Sequence, residues 1–447
     1  MSDYDNRLKL VYAPDDKPRS TKDTIIYSLQ WILIMFYPVV WGYAIVGVGV
    51  GFSEEVLAGY MGRVVLMIGI STLIQATLGH KLSMVSGPNI IPSLAIMSAF
   101  AVGGQEYALL SFNAYIIAGI IVAVLGLLNV FSYVKKVWTP LVLGSMIMMI
   151  GLTTSFVGMS LIARFSTGWP YFAGIFLALL AGYLSIKGKG ILATIPVLIT
   201  IVLGYLIFIV GGKFDWDLVN SMPLFALPQI FPYGFEIPPI DLIITMTIVN
   251  IFAAINLYGN VEGYSEIVGT KVSEKRQKKY FTVFGLIEGV VPSIFGVPST
   301  VAYGENLGFV LLTRVASRFF IIVASIAFII LSFFGKMGGL MAAMPDPVAG
   351  AVLLGVASTL IGIGAQNMVN SEKFETREIF IVGFSIFFAL GTSMLPQEFF
   401  DSIPRLVATL LNNSVILVII LVIILEQIVF KENKNEEKEN EKRIEEI

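Results

Sequence analysis

The sequence predicts an all-α polytopic membrane protein, with fourteen transmembrane segments in a 7+7 inverted repeat and short extended strands and half-helices in segments 3 and 10. Three observations carry that prediction. The 447-residue chain is 56% hydrophobic and 13% charged, and apolar runs suited to one crossing each recur from Ile25 to Phe430. With the N-terminus cytoplasmic, 24 of the 29 Lys and Arg fall on the inside and five on the outside, a bias that one miscounted segment would spoil. Segments 3 and 10 hold the same ordinal place in the two halves, and Gly and Pro break both of them.

Residues 1–24 are charged and polar, without the apolar core of a cleavable signal, and are expected to be a cytoplasmic N-terminal segment. The segments are expected near 25–50, 59–79, 84–101, 107–133, 138–161, 169–186 and 190–211 in the first half. In the second half they are expected near 239–264, 280–294, 300–313, 318–335, 345–364, 378–395 and 405–430. The longest outside loop, Lys213 to Pro238, mixes aromatics and prolines and suggests an interfacial amphipathic element. Residues 431–447 are a charged cytoplasmic tail.

Composition excludes several function classes. With no cysteine, disulfides, thiol catalysis and Cys-ligated metals are ruled out. A single histidine, His80 beside Lys81, cannot build a metal or catalytic cluster and is expected at the cytoplasmic surface. A formal charge of −2 gives no reason to expect a nucleic-acid partner, and no enzyme chemistry is expected.

The broken segments point to the function. Segment 3 contains Ser86-Gly87-Pro88-Asn89-Ile90-Ile91-Pro92, and segment 10 contains Gly296-Val297-Pro298-Ser299-Thr300 followed by Tyr303-Gly304-Glu305-Asn306. Extended backbone inside a membrane must find hydrogen-bond partners, which two such stretches can supply to each other. Each following half-helix would aim free N–H groups at a shared cavity. Glu305 puts a carboxylate there at a cost of roughly 2.5–3.5 kcal/mol, which makes it the first candidate for binding or coupling.

The run Glu305-Asn306-Leu307-Gly308, four residues, then Thr313-Arg314 matches the signature of the nucleobase–ascorbate transporter family, also called nucleobase:cation symporter-2. Gln30 in Ser28-Leu29-Gln30-Trp31, the run Lys81 to Gly87, and Asn256-Leu257-Tyr258-Gly259-Asn260 resemble further stretches of that family. The resemblance implies a core domain (25–133 and 239–336) and a gate domain (134–238 and 337–430). It also implies uptake of uracil, xanthine, uric acid or a related ring by elevator-like motion, coupled to H⁺ or Na⁺ with no other cofactor. A homodimer through the gate domain, in the plasma membrane and in contact with its lipid, goes with it. The Tyr-Gly-Glu-Asn form of the motif resembles uracil permeases more than xanthine carriers, so uracil is narrowly favoured.

Carried over by position, Glu305 accepts ring N–H groups, Tyr303 and Gly304 line the pocket, and Asn306 and Thr313 brace the half-helix. Asn256 and Asn260 share one helical face as candidate binding amides, with Asn89 and Ile90 facing them from segment 3. Gln30 is a candidate brace, and Glu262 a candidate substitute carboxylate or relay. Four positions depart from the family. Asn256 replaces the usual glutamate, Asn260 a His or Asp, Ile90 the stacking aromatic, and Trp31 the His after Gln30. The competing reading keeps the fold and makes the chain a carrier or channel for small anions, as in the related sulfate and bicarbonate families.

Overall fold

The computed structural model describes residues 9–134, 137–164, 168–189, 195–304, 306–369 and 374–431. The chain enters through α1 (Thr21–Met35), capped by Ser20, whose Oγ accepts the Asp23 N–H at 3.0 Å. It continues through α2 (Tyr37–Trp41) and a π turn (Gly42–Gly47) to α3 (Glu54–Thr77), whose first turn carries Glu54 and Glu55 against the helix dipole. Strand β1 (Ser86–Pro88) leads into α4 (Ile90–Leu127). Gly104 breaks α4 at φ 75°, a conformation open to glycine, so expected segments 3 and 4 run on from one another with a bend. After α5 (Phe131–Val134), prolines in the first turn start α6 (Pro140–Ala163), α7 (Trp169–Lys187) and α8 (Pro196–Val210).

The short α9 (Trp216–Ser221) is the helical part of the long loop, and α10 (Ile240–Ile267) follows. Then come α11 (Glu274–Val283), a π stretch (Phe284–Val290) and α12 (Val291–Ile294). Strand β2 (Thr300–Ala302) precedes α13 (Asn306–Thr313), α14 (Arg318–Leu331) and α15 (Gly335–Ala342). The chain closes with α16 (Asp346–Val369), α17 (Thr376–Ser393), α18 (Gln397–Asp401), α19 (Arg405–Asn412) and α20 (Ser414–Ile424), the last extended by a π turn (Leu425–Val429).

Among the described residues eight helices are long and apolar enough to cross a membrane, or ten if two bent pairs are counted as one span each. The bends end one expected segment, 318–335, close to its expected bound and correct another, 405–430. α14 and α15 meet at 93°, and α19 and α20 at 90°, so residues 405–412 lie across the line of the span rather than within it. Asn413 makes that second corner by capping α20, accepting the Ile416 N–H at 3.1 Å. Expected segment 9 also starts earlier than residue 280, because the basic stretch from Glu274 is already helical, capped by Ser273. The N-terminal segment is docked rather than free in its described part: Tyr12 is buried and bridges to Val315, and Asp15 pairs with Arg318 at 2.9 Å.

Packing falls along two lines. α3 lies against α14 and α15, α4 against α10 and the 284–290 stretch, and α1 against α14. Elsewhere α16 lies against α6, α7 and α8, and α20 against α6 and α17. The α6–α16 contact is a seam of small residues spaced seven apart. A Cβ added at Gly144 would sit 2.8 Å from the Gly364 carbonyl oxygen, one at Gly151 2.9 Å from that of Ala357, and one at Gly158 2.9 Å from that of Gly350. In lipid, such close backbone approach supplies the dispersion contact that apolar burial cannot. Gly151→Leu is therefore expected to cost about 1–3 kcal/mol and to lower the melting temperature in detergent. Gly182→Leu on α7, where an added Cβ meets nothing within 4 Å, should leave it unchanged.

Candidate functional site

The two broken stretches pair with each other. β1 and β2 are antiparallel, with Ser86 opposite Ala302, Gly87 opposite Val301 and Pro88 opposite Thr300. The ribbon is extended at both ends, by Asn89 N–H to the Ser299 carbonyl at 2.8 Å and Tyr303 N–H to the Val85 carbonyl at 2.9 Å. Its outer edge is met by α3. Thr72 Oγ1 accepts the Ser86 N–H at 2.9 Å, and Ser71 and Thr300 join hydroxyls at 2.8 Å. The ladder and these side chains give the extended backbone hydrogen-bond partners that an apolar interior would otherwise deny it.

Each strand delivers a helix N-terminus. Asn89 caps α4, its Oδ1 accepting the Ile91 N–H at 3.0 Å, while its Nδ2 is buried without a hydrogen-bond partner. Asn306 opens α13 and accepts the Val85 N–H at 2.6 Å, so one side chain ties the second half-helix to the approach of the first strand. The α10 face meets this assembly through Asn260. Its Nδ2 donates to Asn256 Oδ1 at 2.8 Å and to the Ala302 carbonyl at 2.9 Å. A Cβ at Gly304 would come 2.8 Å from Asn260 Oδ1, so any side chain there would displace that amide. Tyr303 turns its hydroxyl onto the Pro88 carbonyl, and its ring lies 5.9 Å from that of Tyr37.

Tyr303, Gly304, Asn256 and Asn260 therefore meet around the strand pair, with Asn89 and the half-buried Ile90 at its other end. Glu305 lies outside the described residues; the chain sets it between Gly304 and Asn306. Thr313 stands at the far end of α13, where it bonds the Phe309 carbonyl at 2.8 Å and takes the Val315 N–H at 3.3 Å. Gln30 has a buried Oε1 without a partner, and the neighbouring Trp31 is fully buried with its ring 4.7 Å from Phe309. Glu262 is drawn elsewhere, accepting the Gln277 amide of α11 at 2.9 Å.

One polar residue departs from its expected place, and another, Glu288, has a setting for which the sequence reading held no expectation. His80 is fully buried rather than at the surface, with Nδ1 accepting the Leu82 N–H at 3.0 Å. Burial, with Arg276 nearby, lowers it to about 3, so its ring stays neutral. Glu288, on the 284–290 π stretch, is fully buried and takes the Gln75 amide at 2.6 Å. The signal for it was present: it is the one acidic residue in the apolar run from Phe284 to Ile294. Tyr37, whose ring lies beside Tyr303, carried no such signal among the other aromatics of its segment. A cavity of about 350 Å³ lies away from all of these, between α3 and the loop before α10, and is lined by Arg63 and Tyr233.

A family described as the Permease family, whose model is that of the xanthine and uracil permeases, matches residues 22–398. The chain is similar to the uric acid transporter UacT of Escherichia coli, at 28% identity over 93% of this chain and 89% of that one. It is also similar to the uracil permease of Bacillus caldolyticus, at 24% identity over 96% and 99%. In fold alone it is similar to the transmembrane domain of the cyanobacterial bicarbonate transporter BicA, with a TM-score of 0.61 and 12% identity over 92% and 98% of the two chains. The signature at 305–314 and a match spanning most of the sequence lead to one conclusion: the chain belongs to the nucleobase–ascorbate transporter family of membrane permeases.

Proposed function

We propose that this chain is a secondary active transporter that takes up a nucleobase, uracil narrowly favoured over xanthine and other purines, by cation symport with elevator-type alternating access. The observation that carries the proposal is the junction at Asn260. One amide joins α10 to the carbonyl of β2 directly beside Gly304, between two helix N-termini. A planar ring with alternating N–H and C=O groups matches that set: backbone N–H donors for its carbonyls, a carboxylate for its N–H groups, and amides that serve as either. Relatives named for uric acid and uracil transport support the substrate class.

Fourteen segments in two inverted halves are supported by the antiparallel strand pairing and by the glycine seam, whose helices α6 and α16 hold equivalent places as segments 5 and 12. The proposed core (25–133 and 239–336) and gate (134–238 and 337–430) are supported by the two lines of packing, with α15 and α19 crossing between them to touch α3 and α4. The charge bias supports cytoplasmic termini, and the plasma membrane is the proposed location. A ladder of exposed, stacked rings, Phe380, Phe384 and Phe388 on α17, gives the gate an apolar face suited to lipid or to a second copy of the chain. Protonation at or near Glu305 is the proposed coupling event, with H⁺ or Na⁺ as the ion.

The test is flux of labelled uracil, xanthine and sulfate into proteoliposomes, with and without H⁺ and Na⁺ gradients. Nucleobase uptake is expected; sulfate transport without nucleobase uptake would overturn the proposal in favour of an anion carrier. Glu305→Gln should abolish concentrative uptake and weaken binding, and near-normal concentrative uptake would remove its coupling role. Gly304→Ala should force Asn260 off the Ala302 carbonyl and weaken binding by about tenfold or more, measured by isothermal titration against the same ring.

A further inference from the structure

Glu288 takes no part in the site described above, yet it is the carboxylate most completely withdrawn from solvent among the described residues. Its Oε2 accepts the Gln75 amide at 2.6 Å, and its Oε1 has no hydrogen-bond partner. Ser86 of β1 lies beside the same carboxyl, and its Oγ is likewise buried with no hydrogen bond made. No Lys, Arg or His among the described residues ion-pairs with Glu288. Charge placed there would go uncompensated in a dry interior, which costs far more than a neutral acid does.

The surroundings are specific. α11 presents Tyr280, whose carbonyl lies 3.5 Å from the Gln75 amide, and the turn after α3 presents His80, whose backbone N–H donates to Gln75 Oε1 at 3.3 Å. No acidic or basic side chain of α4, α10 or β2 hydrogen-bonds or ion-pairs with Glu288 among the described residues. Glu288 sits on a π stretch, an irregularity that recurs at functional sites. Ser86 is the strand partner of Ala302, whose carbonyl takes the Asn260 amide. Ser86 is therefore one strand spacing from the residue whose carbonyl holds the Asn260 amide. Among the described residues, Glu288 Oε1 is the one carboxylate oxygen buried without a hydrogen-bond partner.

We propose that Glu288 is a proton-binding site behind the strand pair, and that Ser86 reports its occupancy to the nucleobase site. This rests on the transporter reading. With the proton bound, Glu288 is a neutral acid and the Ser86 hydroxyl is free of it. When the core shifts and water reaches Oε1, the proton leaves to that water. The remaining carboxylate then accepts from both Gln75 Nε2 and Ser86 Oγ, pulling on β1 and through it on Ala302.

The experiment compares wild type and Glu288→Gln in proteoliposomes by two assays with labelled uracil, or xanthine where that is the faster substrate. Gradient-driven uptake requires a proton to bind and leave; exchange of internal for external substrate without a gradient does not. Glu288→Gln should lose gradient-driven uptake by about tenfold or more while exchange stays within about twofold. Ser86→Ala, which keeps the carboxyl, should retain proton-driven uptake with an altered pH profile, and it carries the test if the Gln variant does not fold. Proton-driven uptake at the wild-type level in Glu288→Gln, an unaltered pH profile in Ser86→Ala, or wild-type uptake driven by Na⁺ alone would each overturn the assignment. Wild type that transports no nucleobase at all would instead sink the transporter reading.

Discussion

Peptide groups at membrane depth have no water to turn to, and this chain places two extended stretches there. Each satisfies the other, with Ser86 to Pro88 laddered against Thr300 to Ala302 and Thr72 closing the outer edge. Without that pairing, neither half-helix could begin in the interior, and the N-termini of α4 and α13 would not be brought to one place. The pairing also fixes what lies beside it. Because the Ala302 carbonyl points out of the ladder and accepts from Asn260, α10 is registered against the ribbon at Gly304. The site is thus a by-product of solving a backbone problem.

The rest of the body is held by means suited to lipid. Apolar burial gives little preference between a helix and the surrounding acyl chains, so contact depends on how closely backbones come. The α6–α16 seam achieves this with Gly144, Gly151 and Gly158 against Gly364, Ala357 and Gly350. Polar ties act at the ends, as where Arg164 meets Asp346 at 3.0 Å at the start of α16. A seam of small residues thus stands beside a body joined by hydrogen-bonded strands, two kinds of packing in one chain.

Buried polarity is distributed with similar economy. The Asn256–Asn260 pair and Tyr303 each satisfy one another or the backbone, so the site is preorganised. Orphaned atoms collect nearby: Asn89 Nδ2 at the head of α4, and Glu288 Oε1 with Ser86 Oγ behind the ribbon. Orphaned groups also lie elsewhere in the described interior, at Trp41, Tyr60 and Ser385 among them.

The broken segments and the motif at 305–314 were legible in the sequence, because Gly, Pro and a carboxylate stand out against apolar runs. So was the shared face of Asn256 and Asn260, since helical periodicity needs no tertiary knowledge. The right-angle corners at 332–334 and Asn413 were not legible, because a bend between two apolar helices leaves hydropathy unchanged. His80 was misplaced for a related reason: a lysine neighbour suggests surface, while the fold wraps the turn inward. Glu262 and Glu288 show the division most plainly. Sequence marks both as carboxylates within or beside spans, yet packing hands one to Gln277 at the end of α10 and buries the other with Gln75 behind β1. Local chemistry and periodicity determined which residues are costly to bury. Only the tertiary structure, by choosing which elements cross, decided which of those costs are met by a neighbour and which are left open for function.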